Sequence, residues 1–194
     1  MRKYRTKLLL KELFRKTIHI CSALVPTLLG IIYIPTILLL VLAAVLYIIF
    51  ETARIRGKKI PLVSKITEIA ARKRDEDKFV LGPVTLVIGI LIAAVFLPPE
   101  AARLGIYALS FGDGTASLFG KMFGRIRIPG TKGKTAAGSL ACFTAVFISS
   151  FAVTGNTFQS LILAFTAMII EIVPLSDFDN LIIPVTIGLV SLVV

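Results

Sequence analysis

The sequence predicts an all-α integral membrane protein: a bundle of about seven transmembrane helices that form a single domain over residues 1–194. Its mean hydropathy of +0.91 is far above that of a soluble domain. Long apolar runs also recur from one end of the chain to the other. The basic residues are concentrated in the gaps between these runs, as in the cytoplasmic loops of a multi-pass protein of the cell membrane.

Seven apolar runs mark the expected spans. Several are shorter than the ~20 residues of a typical spanning helix, and we expect local thinning of the bilayer or polar extension of the helices there. Residues 18–50 are almost continuously apolar, but Gly30 and Pro35 offer a break that divides this stretch into two spans. The runs cover residues 17–33, 35–50, 79–97, 101–119, 136–153, 158–173 and 181–194.

The distribution of positive charge predicts the orientation. With seven spans, residues 1–16, 51–78 and 120–135 lie on one side of the membrane and hold seven, nine and five basic residues. Residues 174–180 lie on the same side, and only Arg103 falls on the other. Positively charged loops stay in the cytoplasm, so we expect a cytoplasmic N-terminus and an external C-terminus.

The cytoplasmic loop 51–78 has a helical pattern of its own. Apolar residues recur at helical spacing between Leu62 and Ala70, with charged residues on the other face. A short helix lying in the membrane interface and a plain solvated connector explain this pattern equally well.

The stretch "FGDGTASLFGKMFG" places Asp113 within an apolar span, about two turns from its cytoplasmic end. An ionised Asp in a membrane helix costs roughly 2.5–3.5 kcal/mol, so it needs a partner, a metal ion or water. Small residues at every fourth position allow close approach of another helix, a second copy of the chain in a homodimer, or a nucleotide. These residues are Gly112, Ala116, Gly120 and Gly124.

The basic loop 120–135 has the composition of a phosphate site. Its "GKT" resembles a Walker A loop, but Ile128 stands where that motif requires glycine. Glycine N–H groups, lysine charge and a helix that begins near Thr135 nevertheless favour an anion, although an ordinary cytoplasmic loop is also basic. The expected phosphate-binding residues are Lys121, Gly130, Lys132, Gly133, Lys134 and Thr135.

The segment "EIVPLSDFDN" is acidic on an otherwise basic face. It contains Glu171, Asp177, Asp179 and Asn180 between the sixth and seventh spans. Asp179 or Asn180 could cap the last helix, but a cap does not account for three carboxylates in nine residues. Carboxylate oxygens are the ligands that Mg²⁺ prefers, which favours a magnesium site.

The segment "ELFRKTIH" holds a fourth polar cluster. Arg15 and His19 are four residues apart and share a helix face. Arg15 and Lys16 could anchor the first span at the lipid headgroups, whereas His19 lies deeper, where an ionisable side chain suggests function. Glu51 and Arg54 end the second span on the same side of the membrane and could join this cluster.

All four clusters are predicted at one membrane face. They combine carboxylates suited to Mg²⁺ with cations suited to phosphates, and phosphoryl transfer requires mainly positioning and charge neutralisation. We therefore expect phosphoryl chemistry next to the lipid phase. A pI near 10 would also suit a nucleic-acid partner, but the placement of the charge in loops excludes that class.

The motifs "RKTIH", "GDGTASLFGKMFG", "KGKTAAGS" and "DNLIIP" resemble those of the CTP-dependent lipid kinase family, which includes dolichol or polyprenol kinases, phytol kinases and CTP-dependent diacylglycerol kinases. The resemblance implies a membrane kinase that uses CTP and Mg²⁺. The enzyme would transfer the γ-phosphate of CTP to the hydroxyl of a membrane lipid alcohol, with a polyprenol or dolichol as the first expectation and phytol or diacylglycerol as the others. The matching positions are Arg15, Lys16, Asp113, Gly120, Lys134, Asp179 and Asn180.

Residue chemistry and resemblance together give the expected site. The catalytic residues are Asp113, Lys134, Asp179 and His19, and the metal ligands are Asp113, Asp177 and Asp179. The nucleotide-binding residues are Arg15, Lys16, Gly120, Lys121, Gly130, Lys132, Gly133, Lys134, Thr135 and Asn180.

Two alternatives stay open. The central motif is also similar to that of CDP-diacylglycerol synthases, which transfer the cytidylyl group to phosphatidate, although their longer final motif is absent after residue 170. The second alternative is a lipid or ion transporter with buried carboxylates. The sequence has no inverted repeat, which argues against a transporter.

Overall fold

The computed structural model describes residues 2–57, 78–131 and 133–194, with side chains described at residue 10 and from residue 12 onward within these ranges. Most of the predicted loop 51–78, including its helical pattern, lies outside the described residues, as does Lys132. The described part is helical, with one isolated antiparallel bridge between Arg127 and Thr135.

The described helices cover the apolar runs in order, but the first expected span, 17–33, is divided by a 3₁₀ turn and is not one continuous helix. A 3₁₀ turn (Ser22–Leu24) joins the first two helices, and a π-helical segment (Ala108–Asp113) joins the fifth to the sixth. The helices are α1 (Arg2–Cys21), α2 (Val25–Ile31), α3 (Tyr33–Ile55), α4 (Gly82–Phe96), α5 (Pro99–Tyr107), α6 (Gly114–Phe123), α7 (Ala136–Thr154), α8 (Thr157–Ile172) and α9 (Asp179–Val190).

The predicted break in the first long apolar run is confirmed. It falls at Ile32, whose φ of −137° and ψ of 67° leave the helical region between α2 and α3. Pro35 lies in the first turn of α3, where the missing N–H of proline costs no intrahelical hydrogen bond.

Two of the described helices, α3 and α7, are long and apolar enough to cross a membrane, while α4, α8 and α9 are shorter apolar helices. Only 6% of the most apolar part of α3 is buried within the protein. Its exposed face carries large aliphatic side chains such as Leu38, Leu39 and Ile49. An apolar surface of this extent suits lipid as its solvent, which agrees with a membrane protein.

The core lies between α4, α5, the π-helical segment, α7, α8 and α9. Its fully buried side chains include Ile106, Leu109, Val146, Leu163 and Ile187. Helix α9 approaches its neighbours very closely: a Cβ atom on Gly105 would lie 2.1 Å from the carbonyl oxygen of Pro184. Small residues therefore set the spacing between these helices, as in many membrane bundles.

The small-residue face of α6 packs against α7. A Cβ atom on Gly112 would lie 2.8 Å from Val146 Cγ2, and one on Gly138 would lie 2.7 Å from the carbonyl oxygen of Ala116. The partner that packs against these small residues is therefore a neighbouring helix of the same chain. The face therefore gives no support to the homodimer that the pattern was expected to permit.

Candidate active site

A cavity of about 270 Å³ opens between α1, α6, the beginning of α7 and the segment that joins α8 to α9. Residues far apart in the sequence converge on it. Its charged lining residues comprise four cations and four carboxylates: Arg15, Lys16, Lys121 and Lys134, with Glu12, Asp113, Glu171 and Asp179.

One part of the lining, which we call the inner wall, consists of the buried pair Lys16 and Asp113, and His19 packs behind this pair. The Lys16 ammonium donates to Oδ2 of Asp113, and these two side chains are only 1% and 7% exposed. Nδ1 of His19 lies 3.3 Å from the same oxygen. Asp113 thus has the partner that its burial requires. His19 is not among the lining residues of the cavity, so it contacts Asp113 from outside the space that a substrate would occupy.

The π-helical segment presents Asp113. It ends at this residue, and the wider turn distinguishes it from the α-helices on both sides. Such turns are rare and recur at functional sites. The apolar run predicts one uniform helix here, and no residue pattern within it indicates the wider turn.

The cations at the cavity opening, which we call the rim, are Lys121 and Lys134, each with a carboxylate partner. Lys121 Nζ lies 2.6 Å from Oε2 of Glu12, and Lys134 Nζ donates to Oε1 of Glu171 at 2.6 Å. The Lys121 and Lys134 side chains are 50% and 27% exposed, so the rim is open to ligands in a way that the inner wall is not.

Glu12 connects α1 to α6. It accepts hydrogen bonds from Arg15 at 2.5 Å and from the Ser117 hydroxyl, besides its contact with Lys121. Burial alone would raise the pKa of Glu12, but the charges of Arg15 and Lys121 and the hydrogen bonds outweigh it and lower this pKa well below its usual value. Glu12 is therefore ionised at neutral pH.

The loop before α7 folds back so that Lys134 faces the cavity. Ile128 N donates to the Lys134 carbonyl at 2.9 Å, and Gly133 has a φ of +92°, a conformation that favours glycine. The Thr135 hydroxyl caps α7 by accepting from Gly138 N at 3.2 Å. The predicted helix start at Thr135 is confirmed, and the N-terminus of α7 lies at the cavity.

Asp179 opens α9 and lines the cavity. Within the described residues, no three His, Cys, Asp or Glu side chains form a group able to hold a metal ion. Mg²⁺ nevertheless binds mainly through one or two carboxylates with substrate phosphates and water. Asp113 and Asp179 line one cavity, and the contacts of Asp113 with Lys16 and His19 both use Oδ2. Both side chains therefore offer the type of oxygen ligand that Mg²⁺ prefers.

The structure brings most of the predicted residues together. His19, Gly130, Asp177 and Asn180 do not line the cavity. The Asn180 amide instead donates to the Gly82 carbonyl and to Thr85 Oγ1, and so fastens α9 to α4. The predicted residues that do line it are Arg15, Lys16, Asp113, Gly120, Lys121, Gly133, Lys134, Thr135 and Asp179.

Glu51 and Arg54, which were expected to be able to join the cluster of "ELFRKTIH", form a separate one. Glu51 accepts two hydrogen bonds from Arg54 and one from Val80 N at 2.9 Å, and neither side chain lines the cavity. This pair ties the end of α3 to the residues before α4.

Two carboxylates in the lining, Glu12 and Glu171, were missing from the expected site although both belong to its polar clusters. Each is buried and contacts a cation on another element. The sequence feature that could have identified these two glutamates is their position next to apolar runs. A carboxylate that becomes buried there needs a cation as its partner.

No family model and no solved structure matches the chain. It is 27% identical over 183 residues to an uncharacterised protein of Methanocaldococcus jannaschii, covering 90% of each chain. It is 29% identical over 149 residues to a probable chloroplastic phytol kinase of Triticum aestivum, covering 67% of this chain and 48% of the kinase. It is 32% identical over 96 residues to the dolichol kinase of Saccharomyces cerevisiae, covering 48% of this chain and 18% of the kinase.

Proteins named farnesol kinase and CTP-dependent diacylglycerol kinase are also similar to the chain. The chain spans between 18% and 51% of the length of the kinases it matches. These similarities confirm the resemblance carried by the motifs: the chain is similar to proteins named phytol, farnesol, dolichol and diacylglycerol kinases.

Proposed function

We propose that this protein is a CTP-dependent lipid kinase, which transfers the γ-phosphate of CTP to the hydroxyl of a membrane lipid alcohol. One observation carries the proposal. Six of the seven positions at which the chain resembles the family line a single cavity, although more than a hundred residues separate the first from the last; Asn180 is the exception. The six are Arg15, Lys16, Asp113, Gly120, Lys134 and Asp179. The names of the similar proteins favour phytol, farnesol, dolichol or diacylglycerol as the type of acceptor.

The rim is the part of the cavity suited to the triphosphate. Lys134 and the N-terminus of α7 bring an ammonium group and the positive end of a helix dipole to the same space. Arg15 and Lys121 face that space from α1 and α6. A polyphosphate would take over part of the interaction that these cations now make with Glu12 and Glu171.

The carboxylates Asp113 and Asp179 would hold Mg²⁺, which when bound neutralises charge on the phosphates. Lys16 fixes the position of Asp113, so that this ligand needs little rearrangement. The lipid hydroxyl attacks the γ-phosphorus and releases its proton to water, the bond from the γ-phosphorus to the bridging oxygen breaks, and CDP leaves with that oxygen. The protein contributes mainly by alignment and by neutralising charge.

We also propose that the helices form seven spans with the cavity at the cytoplasmic face of the cell membrane. The placement of 21 of the 22 basic residues on one side supports this orientation. It is tested by cysteine accessibility scanning in a background lacking Cys21 and Cys142. A cysteine at position 132 should react with an impermeant reagent only from the cytoplasmic side, and labelling only from outside would contradict the orientation.

The activity is tested with detergent-purified protein, CTP labelled at the γ-phosphate, Mg²⁺ and a panel of polyprenol, dolichol, phytol, farnesol and diacylglycerol. We expect the label in a lipid phosphate and CDP as the second product. Release of pyrophosphate with phosphatidate as acceptor would identify a cytidylyltransferase instead. A protein that neither binds nor consumes CTP would favour a transporter.

A further inference from the structure

Glu171 has an environment that the proposed reaction does not by itself explain. It lies in the last turn of α8, is 5% exposed and lines the cavity. Its Oε1 accepts from Lys134 Nζ at 2.6 Å, and its Oε2 lies 3.3 Å from the Ser139 hydroxyl that donates to it. One carboxylate therefore contacts both the loop before α7 and the first turn of that helix.

The contact with Ser139 fixes the carboxylate. The same Ser139 hydroxyl shares its one proton with the Thr135 carbonyl, which also lies 3.3 Å away, and Thr135 caps α7. The carboxylate is thus attached to the N-terminus of the helix that we assign to phosphate binding. A lysine side chain on its own has four rotatable bonds and loses considerable entropy when its ammonium is held in one place. Contact with Glu171 places the Lys134 ammonium before any nucleotide arrives.

We propose that Glu171 is a positioning residue for the phosphate site. It holds the Lys134 ammonium beside the N-terminus of α7, so that the ammonium and the positive end of the helix dipole meet the same phosphate. This inference rests on the proposed function and concerns the same cavity. Protein kinases require a comparable lysine–glutamate pair for phosphoryl transfer, because the carboxylate sets the position of the lysine that contacts the phosphates.

The alternative is a purely structural ion pair between the α7 and α8 regions. A pair with a partly exposed lysine contributes little to stability, so structure alone gives a weak reason for burying the carboxylate. A structural pair would affect the melting temperature. A positioning residue affects the use of CTP, and does so only while Lys134 is present.

The first experiment needs no catalytic activity. The rate of acylation of Lys134 in the full-length protein is measured by mass spectrometry without nucleotide, in the wild type, in Glu171→Gln and in Glu100→Gln. Glu100 is an exposed acid outside the cavity and serves as the charge-matched control. We expect acylation of Lys134 to rise several-fold in Glu171→Gln alone, because the ammonium is no longer held. An unchanged rate overturns the inference, even if the protein uses no CTP.

The second experiment compares kcat and KM for CTP in Glu171→Gln, Lys134→Ala and the double variant. We expect Glu171→Gln to raise KM about 10-fold, and to add nothing in the Lys134→Ala background, because coupled residues are non-additive. Independent losses that multiply in the double variant would overturn the inference. If Glu171→Gln does not fold, Glu171→Asp replaces it in both experiments, with smaller changes expected in the same directions.

Discussion

The inner wall and the rim of the cavity use the same kind of ion pair at different depths. Lys16 and Asp113 of the inner wall are almost completely buried, whereas Lys121 at the rim has half of its side chain exposed. Lys134 is intermediate, with 27% exposure. Electrostatic interactions weaken steeply as solvent gains access, so the two regions should respond differently to substitution.

The difference in depth also separates stability from binding. Removing one partner of a buried pair leaves an uncompensated charge and costs about 3–5 kcal/mol. An exposed pair contributes ~0–1 kcal/mol, so its loss mainly affects a ligand that needs the charge. We therefore expect the inner wall to control folding and turnover together, and the rim to control the use of the nucleotide.

The largest effect is expected at Asp113. Asp113→Asn should lower turnover by about 10²–10³-fold, because it removes charge next to the reacting phosphate. It should also lower the melting temperature, because Lys16 stays buried without its counter-ion. The measurements are labelled-phosphate transfer and thermal unfolding in detergent.

A second variant separates these two consequences. Lys16→Met combined with Asp113→Asn removes both buried charges and should recover much of the melting temperature without recovering turnover. If turnover returns together with stability, Asp113 is a structural residue and not part of the reaction.

The next effect is expected at Lys134. Lys134→Ala should raise KM for CTP about 10-fold or more, because one charge-assisted hydrogen bond to phosphate is lost. It should change the melting temperature less than Asp113→Asn does. Arg125→Ala is the matched control, since Arg125 is an exposed cation of the same loop that does not line the cavity. Equal weakening by both variants would mean that the basic face acts as a diffuse field.

A smaller effect is expected at Lys121. Because half of its side chain is exposed, Lys121→Ala should raise KM for CTP by only about 2–5-fold, and the difference should shrink at high salt. Steady-state kinetics at two ionic strengths checks this. A loss as large as that of Lys134→Ala, unaffected by salt, would place Lys121 in direct contact with the phosphates.

The smallest effect concerns Glu12 and pH. The pKa of Glu12 is lower in the folded protein than its ordinary value of 4.5. Its ion pairs therefore stabilise the fold fully at pH values above 4.5, and this contribution is lost as the pH falls toward the lowered pKa. The melting temperature of Glu12→Gln should therefore be below that of the wild type at pH 7, and the gap should narrow toward about pH 3. A gap independent of pH would mean that Glu12 acts through its shape and not through its charge.

The sequence could predict the helices because apolar runs and their polar gaps are local features. The break near Pro35 and the start of α7 at Thr135 were predictable from residue types alone. The partners of the charges were not, because they depend on how each helix is rotated against its neighbours. Nothing within α1 indicates that Lys16 faces Asp113, and nothing within α8 indicates that Glu171 faces Lys134.

The role of Asn180 shows the same limit. The resemblance assigns it to the nucleotide, while its amide bonds to α4 across the bundle. Its placement in the last polar cluster is a local property, but the direction of its side chain depends on the close packing of α9. Close packing of this kind depends on glycines such as Gly89, whose Cβ atom would lie 2.2 Å from the Asn180 carbonyl oxygen.

The central claim is that this cavity binds the phosphates of a nucleoside triphosphate. Its most direct test is a structure determined in lipid nanodiscs with Mg²⁺ and a non-hydrolysable CTP analogue. We predict triphosphate density inside the cavity, in contact with the Lys134 ammonium and the N-terminus of α7. A nucleotide bound elsewhere on the protein, or no bound nucleotide at saturating concentration, would contradict the claim.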